Sequence, residues 1–177
     1  MTRLDEAERI ASQCIAALSG ITDADREELA SRIVGARTVF VFGVGRSGLI
    51  AQSFAVRLVQ LGLKVYFIGD MTTPLISSED LVILVSNSGD TMSVVKTAEI
   101  ARRIGTRVIS VTSSKDNDLA QTSDTTIIVK SDHASDAPLG TIFEDATMLF
   151  FDSMTPALMK LLGATEEDMR NRHAIWV

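Results

Sequence analysis

The chain of 177 residues carries one cysteine, two histidines, one tryptophan, one tyrosine and three prolines. The lone Cys14 excludes an internal disulfide and a cysteine metal site, and its amphipathic helical setting reads as packing. His133 and His173 lie too far apart in sequence to form a histidine metal motif, so no metal is expected. No apolar stretch reaches the roughly 20 residues that a membrane-crossing helix needs, so no membrane partner is expected. The opening residues Met1-Thr2-Arg3-Leu4-Asp5-Glu6 lack the apolar run and small-residue cleavage site of a secretory signal, which makes a cytoplasmic protein the expectation. A basic surplus is missing too. Lys and Arg number 17 against 23 Asp and Glu, a net charge of −6, and no basic cluster stands out, which argues against a nucleic-acid partner. An acidic protein that binds an anion must do so locally, with dipoles and a few donors.

Hydrophobic residues make up 46% of the chain, enough for a folded core within a single domain of this length. The hydrophobic pattern predicts helices at 3–18 and 23–35, the second opened by a Thr22–Asp25 capping box. A regular alternation then begins. Strands are expected at 38–43, 64–68, 81–85, 107–112 and 126–130, and helices at 47–61, 91–104 and 142–162. Gly62 and Gly105 stand where helix stops belong. The strands are continuous Val- and Ile-rich runs, the mark of a parallel sheet covered on both faces. The expected fold is therefore α/β, a doubly wound five-stranded parallel sheet with flanking helices, plus N-terminal helices. Ser131 to Gly140 is the one long irregular stretch. In the last long helix, apolar residues from Ile142 to Leu162 cover nearly the whole circumference. Such a helix is buried on all sides, which predicts a homo-oligomer.

Two small-residue loops each follow a strand and precede a helix, the arrangement that aims free backbone N–H groups at an anion. The first is Gly43-Val44-Gly45-Arg46-Ser47-Gly48 and the second is Ser86-Asn87-Ser88-Gly89-Asp90-Thr91. The hydroxyls of Ser86, Ser88 and Thr91 suit a compact phosphate monoester. Gly89 permits close backbone approach, and Thr91 stands where a helix cap belongs. The first loop also matches the dinucleotide pattern G-x-G-x-x-G. The acidic residue which that pattern places about 20 positions on would be Asp70, beyond the end of the second strand. Arg46 and Ser47 between the glycines favour a monophosphate over a pyrophosphate. A tight turn with no ligand is the remaining alternative.

G-x-G-x-S after one strand, with S-x-S-G-x-T after a later one, resembles the sugar isomerase (SIS) domain family over about residues 29–168. Residues 1–28 then form an N-terminal helical extension and 169–177 a tail. Gly45–Gly48, Ser86–Thr91, Gly140-Thr141-Ile142-Phe143-Glu144 and Arg172-His173-Ala174 are more closely similar to the 6-phospho-3-hexuloisomerase branch of that family. The resemblance implies a flavodoxin-like fold and a homotetramer. It also implies reversible conversion of 3-hexulose 6-phosphate to fructose 6-phosphate, on the ribulose monophosphate route of formaldehyde handling, without metal or organic cofactor. Carried over, Ser47, Ser86, Ser88 and Thr91 hold the phosphate of a small sugar, the backbones of Asn87, Gly89 and Asp90 complete the cradle, and Glu144 is the catalytic base. Arg46 steadies either the phosphate or the reaction's enediolate. The family pattern continues after Arg-His-Ala with Asn and ends near an acidic residue; here Ile175-Trp176-Val177 follow.

Competing readings stand beside these. Thr141-x-x-Glu144 is also a capping box, which would occupy the carboxylate at the helix end. If Glu144 is the base, the helix N-terminus is expected to keep it ionised at neutral pH. In related sugar isomerases a histidine helps to open a cyclic substrate, which makes His173 the second catalytic candidate; the alternative is a surface histidine. A 3-ketose phosphorylated at C6 has no hydroxyl placed to close a five- or six-membered ring. Ring opening would serve only fructose 6-phosphate in reverse. His133 receives no role. The alternative functions are another isomerase of the family, for a phosphoheptose or arabinose 5-phosphate, and a non-catalytic sugar-phosphate-binding regulator.

Overall fold

Strands apolar at every position have no face for water and must be covered twice. In the computed structural model, which describes residues 5–131 and 137–173, five strands form one sheet, and the central one, Leu81–Val85, is apolar and buried at every position. They are β1 (Val39–Gly43), β2 (Val65–Phe67), β3 (Leu81–Val85), β4 (Arg107–Thr112) and β5 (Thr125–Ile128). Their order is β2-β1-β3-β4-β5, and every neighbouring pair is parallel. The helices are α1 (Asp5–Ala17), α2 (Asp23–Gly35), α3 (Gly45–Gln60), α4 (Met92–Ile104), α5 (Asp118–Thr122), α6 (Thr141–Leu162) and α7 (Glu166–Asn171). A one-turn 3₁₀ helix, Pro138–Gly140, leads into α6.

Alternate residues of the central strand separate two cores. Leu81, Ile83 and Val85 join Phe54 of α3, Phe143 and Phe151 of α6, Ile33 of α2 and Cys14 of α1. Val82 and Leu84 join Val94 and Ala98 of α4 and Leu119 of α5 on the opposite face. Phe54 and Phe151 stack at 4.0 Å between ring centres, which fixes α6 against α3. The Thr22–Asp25 capping box is present in both directions, at 3.2 and 2.8 Å. Gly105 ends α4 in the left-handed conformation, φ +87°.

Some elements differ from the sequence expectation. Strands β2 and β5 are shorter than expected, and α3 begins at Gly45. The short helices α5 and α7 carry no long periodicity and were not expected. The last long helix is less naked than its composition suggests, because α1, α2 and α3 all pack on it. Leu149 and Leu161 remain about half exposed. No helix among the described residues is long and apolar enough to cross a membrane.

This strand order places a topological switch between β1 and β3. From β1 the chain turns to α3 on one face, and from β3 to α4 on the other. The crevice at the carboxyl ends of these two strands is where open α/β sheets bind ligands.

Candidate active site

Gly43 and Val85 are register partners, so the two glycine–serine loops leave the sheet side by side, about 5 Å apart. Packing in the first loop is close. A Cβ on Gly48 would lie 2.5 Å from the Gly43 carbonyl, so helix and strand meet backbone to backbone there. Ser47 is buried in the first turn of α3. In the second loop, buried Ser86 Oγ accepts from Gly89 N at 3.2 Å and lies 3.3 Å from Thr91 Oγ1. Ser88 Oγ accepts from Asp90 N at 3.3 Å. Gly89 has φ +72°, and a side chain there would run into Asn117. Thr91 holds the N-cap position of α4, but its hydroxyl makes no capping bond, contrary to the sequence expectation. That hydroxyl faces Ser86 instead; Val94 N donates to the Thr91 carbonyl at 2.9 Å, and the Met92 and Ser93 N–H groups at the start of α4 carry no side-chain cap that would compete with a ligand.

Arg46 ties the first loop to α6. Its Nε lies 2.9 Å from Glu144 Oε2, its Nη2 3.5 Å from Asp145 Oδ1, and its Nη1 donates to Thr141 Oγ1 at 3.3 Å. Glu144 is only 6% exposed. Its Oε2 is close to Arg46 but lacks the alignment of a hydrogen bond, so a buried carboxylate oxygen retains unused accepting capacity.

The capping-box alternative for Glu144 is absent. The N-cap of α6 is Gly140, at φ +86°, and no side chain caps the helix. Thr141 is already the first helical residue, and its hydroxyl donates back to the Pro138 carbonyl at 2.7 Å. The 3₁₀ turn has displaced the register by one, and Glu144 is free of the helix end. Burial raises the Glu144 carboxyl above its ordinary value, Asp145 adds to the rise, and Arg46 only partly opposes it.

His173 is not brought to this site within one chain. The neighbouring Arg172 donates to the Gln60 carbonyl at 3.3 Å, at the far end of α3 from Gly45. A helix of 16 residues spans about 24 Å, so His173 and Arg46 stand at opposite ends of it. His133 and the tail residues Ala174, Ile175, Trp176 and Val177 lie outside the described residues. Among the described residues no group of three or more His, Cys, Asp and Glu is placed to hold a metal ion.

The SIS domain model matches residues 32–151, which contain both loops and Glu144. The chain belongs to the SIS domain family. Within that family, a 3-hexulose-6-phosphate isomerase of Methanocaldococcus jannaschii is 39% identical, over 83% of this chain and 81% of its own length. A protein of the same name from Mycobacterium gastri is 38% identical, over 82% of this chain and 77% of its own. A solved structure from Methanococcus jannaschii, from which a 3-hexulose-6-phosphate isomerase function was inferred, superposes with a TM-score of 0.90 at 33% identity, covering 98% of this chain and all of that one.

The sequence reading missed several residues of this SIS site. Asn117 caps α5 by accepting from Ala120 N at 2.9 Å and walls the second loop behind Gly89. Ser113, just past β4, and Ser131, in the segment after β5, converge on Asn87. An Asn before a short helical turn could have flagged Asn117. No linear signal marks the two serines.

Proposed function

We infer that this chain is a sugar-phosphate isomerase that converts 3-hexulose 6-phosphate to fructose 6-phosphate through a cis-enediol. The observation that carries the reading is the buried Glu144 carboxylate, with unused accepting capacity, held beside Arg46 of the first loop, which leaves the sheet next to the hydroxyl-bearing second loop. Relatives named for this reaction at 38–39% identity support the choice of sugar. Ser47, Ser86, Ser88, Thr91 and the backbones of Asn87, Gly89 and Asp90 hold the phosphate. Phosphate binding away from the reacting carbons fixes C2 and C3 against the base. Glu144 takes the C2 proton, and electrons move into a C2–C3 double bond and onto the C3 oxygen. Arg46, half-exposed and beside the carboxylate, steadies that oxygen. The C2 hydroxyl proton passes to the C3 oxygen, the C2–C3 electron pair takes the proton back from Glu144 at C3, and the carbonyl is left at C2. This reaction places the protein on the ribulose monophosphate route of formaldehyde handling. The test is prolonged incubation with substrate in D₂O. Deuterium at C3 of the product is expected, and its absence after many turnovers contradicts the enediol.

The working form is a homotetramer with sites near subunit boundaries. Leu49, Val56 and Val59 form an exposed apolar stripe on α3, and Met71, Leu75 and Leu139 are each more than nine-tenths exposed. Leu139 also carries a left-handed backbone, φ 59°, rare for a branched side chain. A hydrophilic sugar phosphate has no use for this apolar surface; a second copy does. Light scattering at micromolar concentration is expected to give four chains, and a stable monomer contradicts this. His173, remote from Glu144 in its own chain, then reaches only a neighbour's site. Assayed in reverse from fructose 6-phosphate, where ring opening is needed, a mixture of Glu144→Gln and His173→Ala proteins under subunit exchange is expected to recover more activity than either protein alone.

A further inference from the structure

The first turn of α6, which carries Glu144, is gripped from two sides. Arg46 grips it from the first loop. From the second loop the contact is Asn87, whose backbone alone entered the phosphate cradle above. The Asn87 carbonyl is unusually well held. It accepts from Thr112 Oγ1 at 3.1 Å, from Ser113 N at 3.2 Å and from Ser113 Oγ at 2.7 Å. With its backbone pinned, the amide side chain reaches away from the loop. Its Oδ1 accepts from Ser131 Oγ at 3.1 Å. Its Nδ2 sits 2.6 Å from the place where a Cβ on Gly140 would be. Gly140 is the N-cap of α6, four residues before Glu144, and its φ of +86° already favours glycine. Asn87, Ser88, Ser131 and Gly140 line one cavity of about 210 Å³.

We propose that the Asn87 side chain is a positioning residue, a clasp that joins the phosphate loop to the start of α6 and holds Glu144 in register with a bound phosphate. The proposal rests on the isomerase reading above. A neutral amide suits the task, because it offers an acceptor to Ser131 and packs its Nδ2 closely against Gly140 without setting a charge beside the phosphate. The clasp acts on the base and not on the ligand, so its loss should appear in kcat and not in binding.

The experiment compares Asn87→Ala, Gly140→Ala and the double variant with wild type. The readouts are kcat and KM for 3-hexulose 6-phosphate, the inhibition constant of inorganic phosphate, and thermal melting. Asn87→Ala is expected to lower kcat by about tenfold to a hundredfold, the scale of a small misplacement of a reacting group. KM and phosphate inhibition should stay near wild type. Gly140→Ala should lower kcat similarly, by forcing a Cβ against Asn87. The double variant should be little worse than either single one, because both break the same contact. Wild-type kcat in Asn87→Ala overturns the clasp. So does a rise in KM and in the phosphate inhibition constant at unchanged kcat, which would make the side chain part of the cradle. Fully multiplicative losses in the double variant also overturn it. If Asn87→Ala does not fold, Asn87→Ser, too short to reach Ser131 and Gly140 together, is read by the same criteria. Absence of turnover in wild type removes the isomerase reading and the clasp with it, an outcome distinct from an active wild type with an indifferent Asn87→Ala.

Discussion

Replacing Glu144 by glutamine is expected to lower kcat by about a thousandfold, within the range that a positioned general base contributes. KM for the sugar phosphate should stay within a few-fold of wild type, because no phosphate donor is touched. The substitution keeps the shape of the side chain, and Arg46 keeps Thr141 and Asp145 as partners. The loss cannot be assigned to a broken helix cap, since α6 has no side-chain cap. The carboxyl's raised pKa adds two checks. A base works only when ionised, so the acid limb of kcat/KM should lie above the ordinary glutamate value; Arg46→Gln, which removes the one opposing charge, should move it higher still. For stability the sign is the reverse of a paired aspartate. The folded state binds this proton more tightly than the unfolded state does. Its contribution is therefore fully present below the unfolded pKa and is lost as pH rises through the folded one. At neutral pH Glu144→Gln should melt no lower than wild type, with the difference vanishing in acid. Near-normal turnover in Glu144→Gln would mean that another group moves the proton, His173 being next.

Removing the hydroxyl of Ser88 or Thr91 is expected to raise KM by about tenfold to a hundredfold, the value of one hydrogen bond to a charged group. Ser88 is exposed, and Thr91 is not used to cap α4, so neither hydroxyl is indispensable to the fold. The inhibition constant of inorganic phosphate should rise in parallel, and kcat should change less. Ser86 is a poorer probe, because it is buried and supports Gly89 N. Unchanged KM in both Ser88→Ala and Thr91→Ala places the phosphate elsewhere.

The sheet was legible because its strands carry the simplest signal, unbroken apolar runs such as Leu81–Val85. The two loops were legible because glycine and serine directly after such runs have few other uses. Short helices were not, since five or six residues give no periodicity. The reading of Thr141 and Glu144 as a cap failed by one residue. A left-handed Gly140 and the 3₁₀ turn before it set the helix start, and neither has a hydrophobic pattern. Asn87 to Gly140 spans 53 positions, and Asn87 to Ser131 spans 44, so the clasp exists only in the folded chain. The tail motif Arg172-His173 likewise gave no hint that it packs at the far end of α3.

The most direct test of the central claim is turnover of 3-hexulose 6-phosphate, measured beside a heptulose 7-phosphate and arabinose 5-phosphate with the same preparation. All three offer a phosphate to the same cradle, so the comparison isolates what lies between Ser88 and Glu144. Fructose 6-phosphate should appear from the first sugar with a kcat/KM at least about a hundredfold above the other two, a ratio within reach of a hydrogen-bonding site. Preference for either of the other sugars, or tight binding of all three with no turnover, would contradict the account.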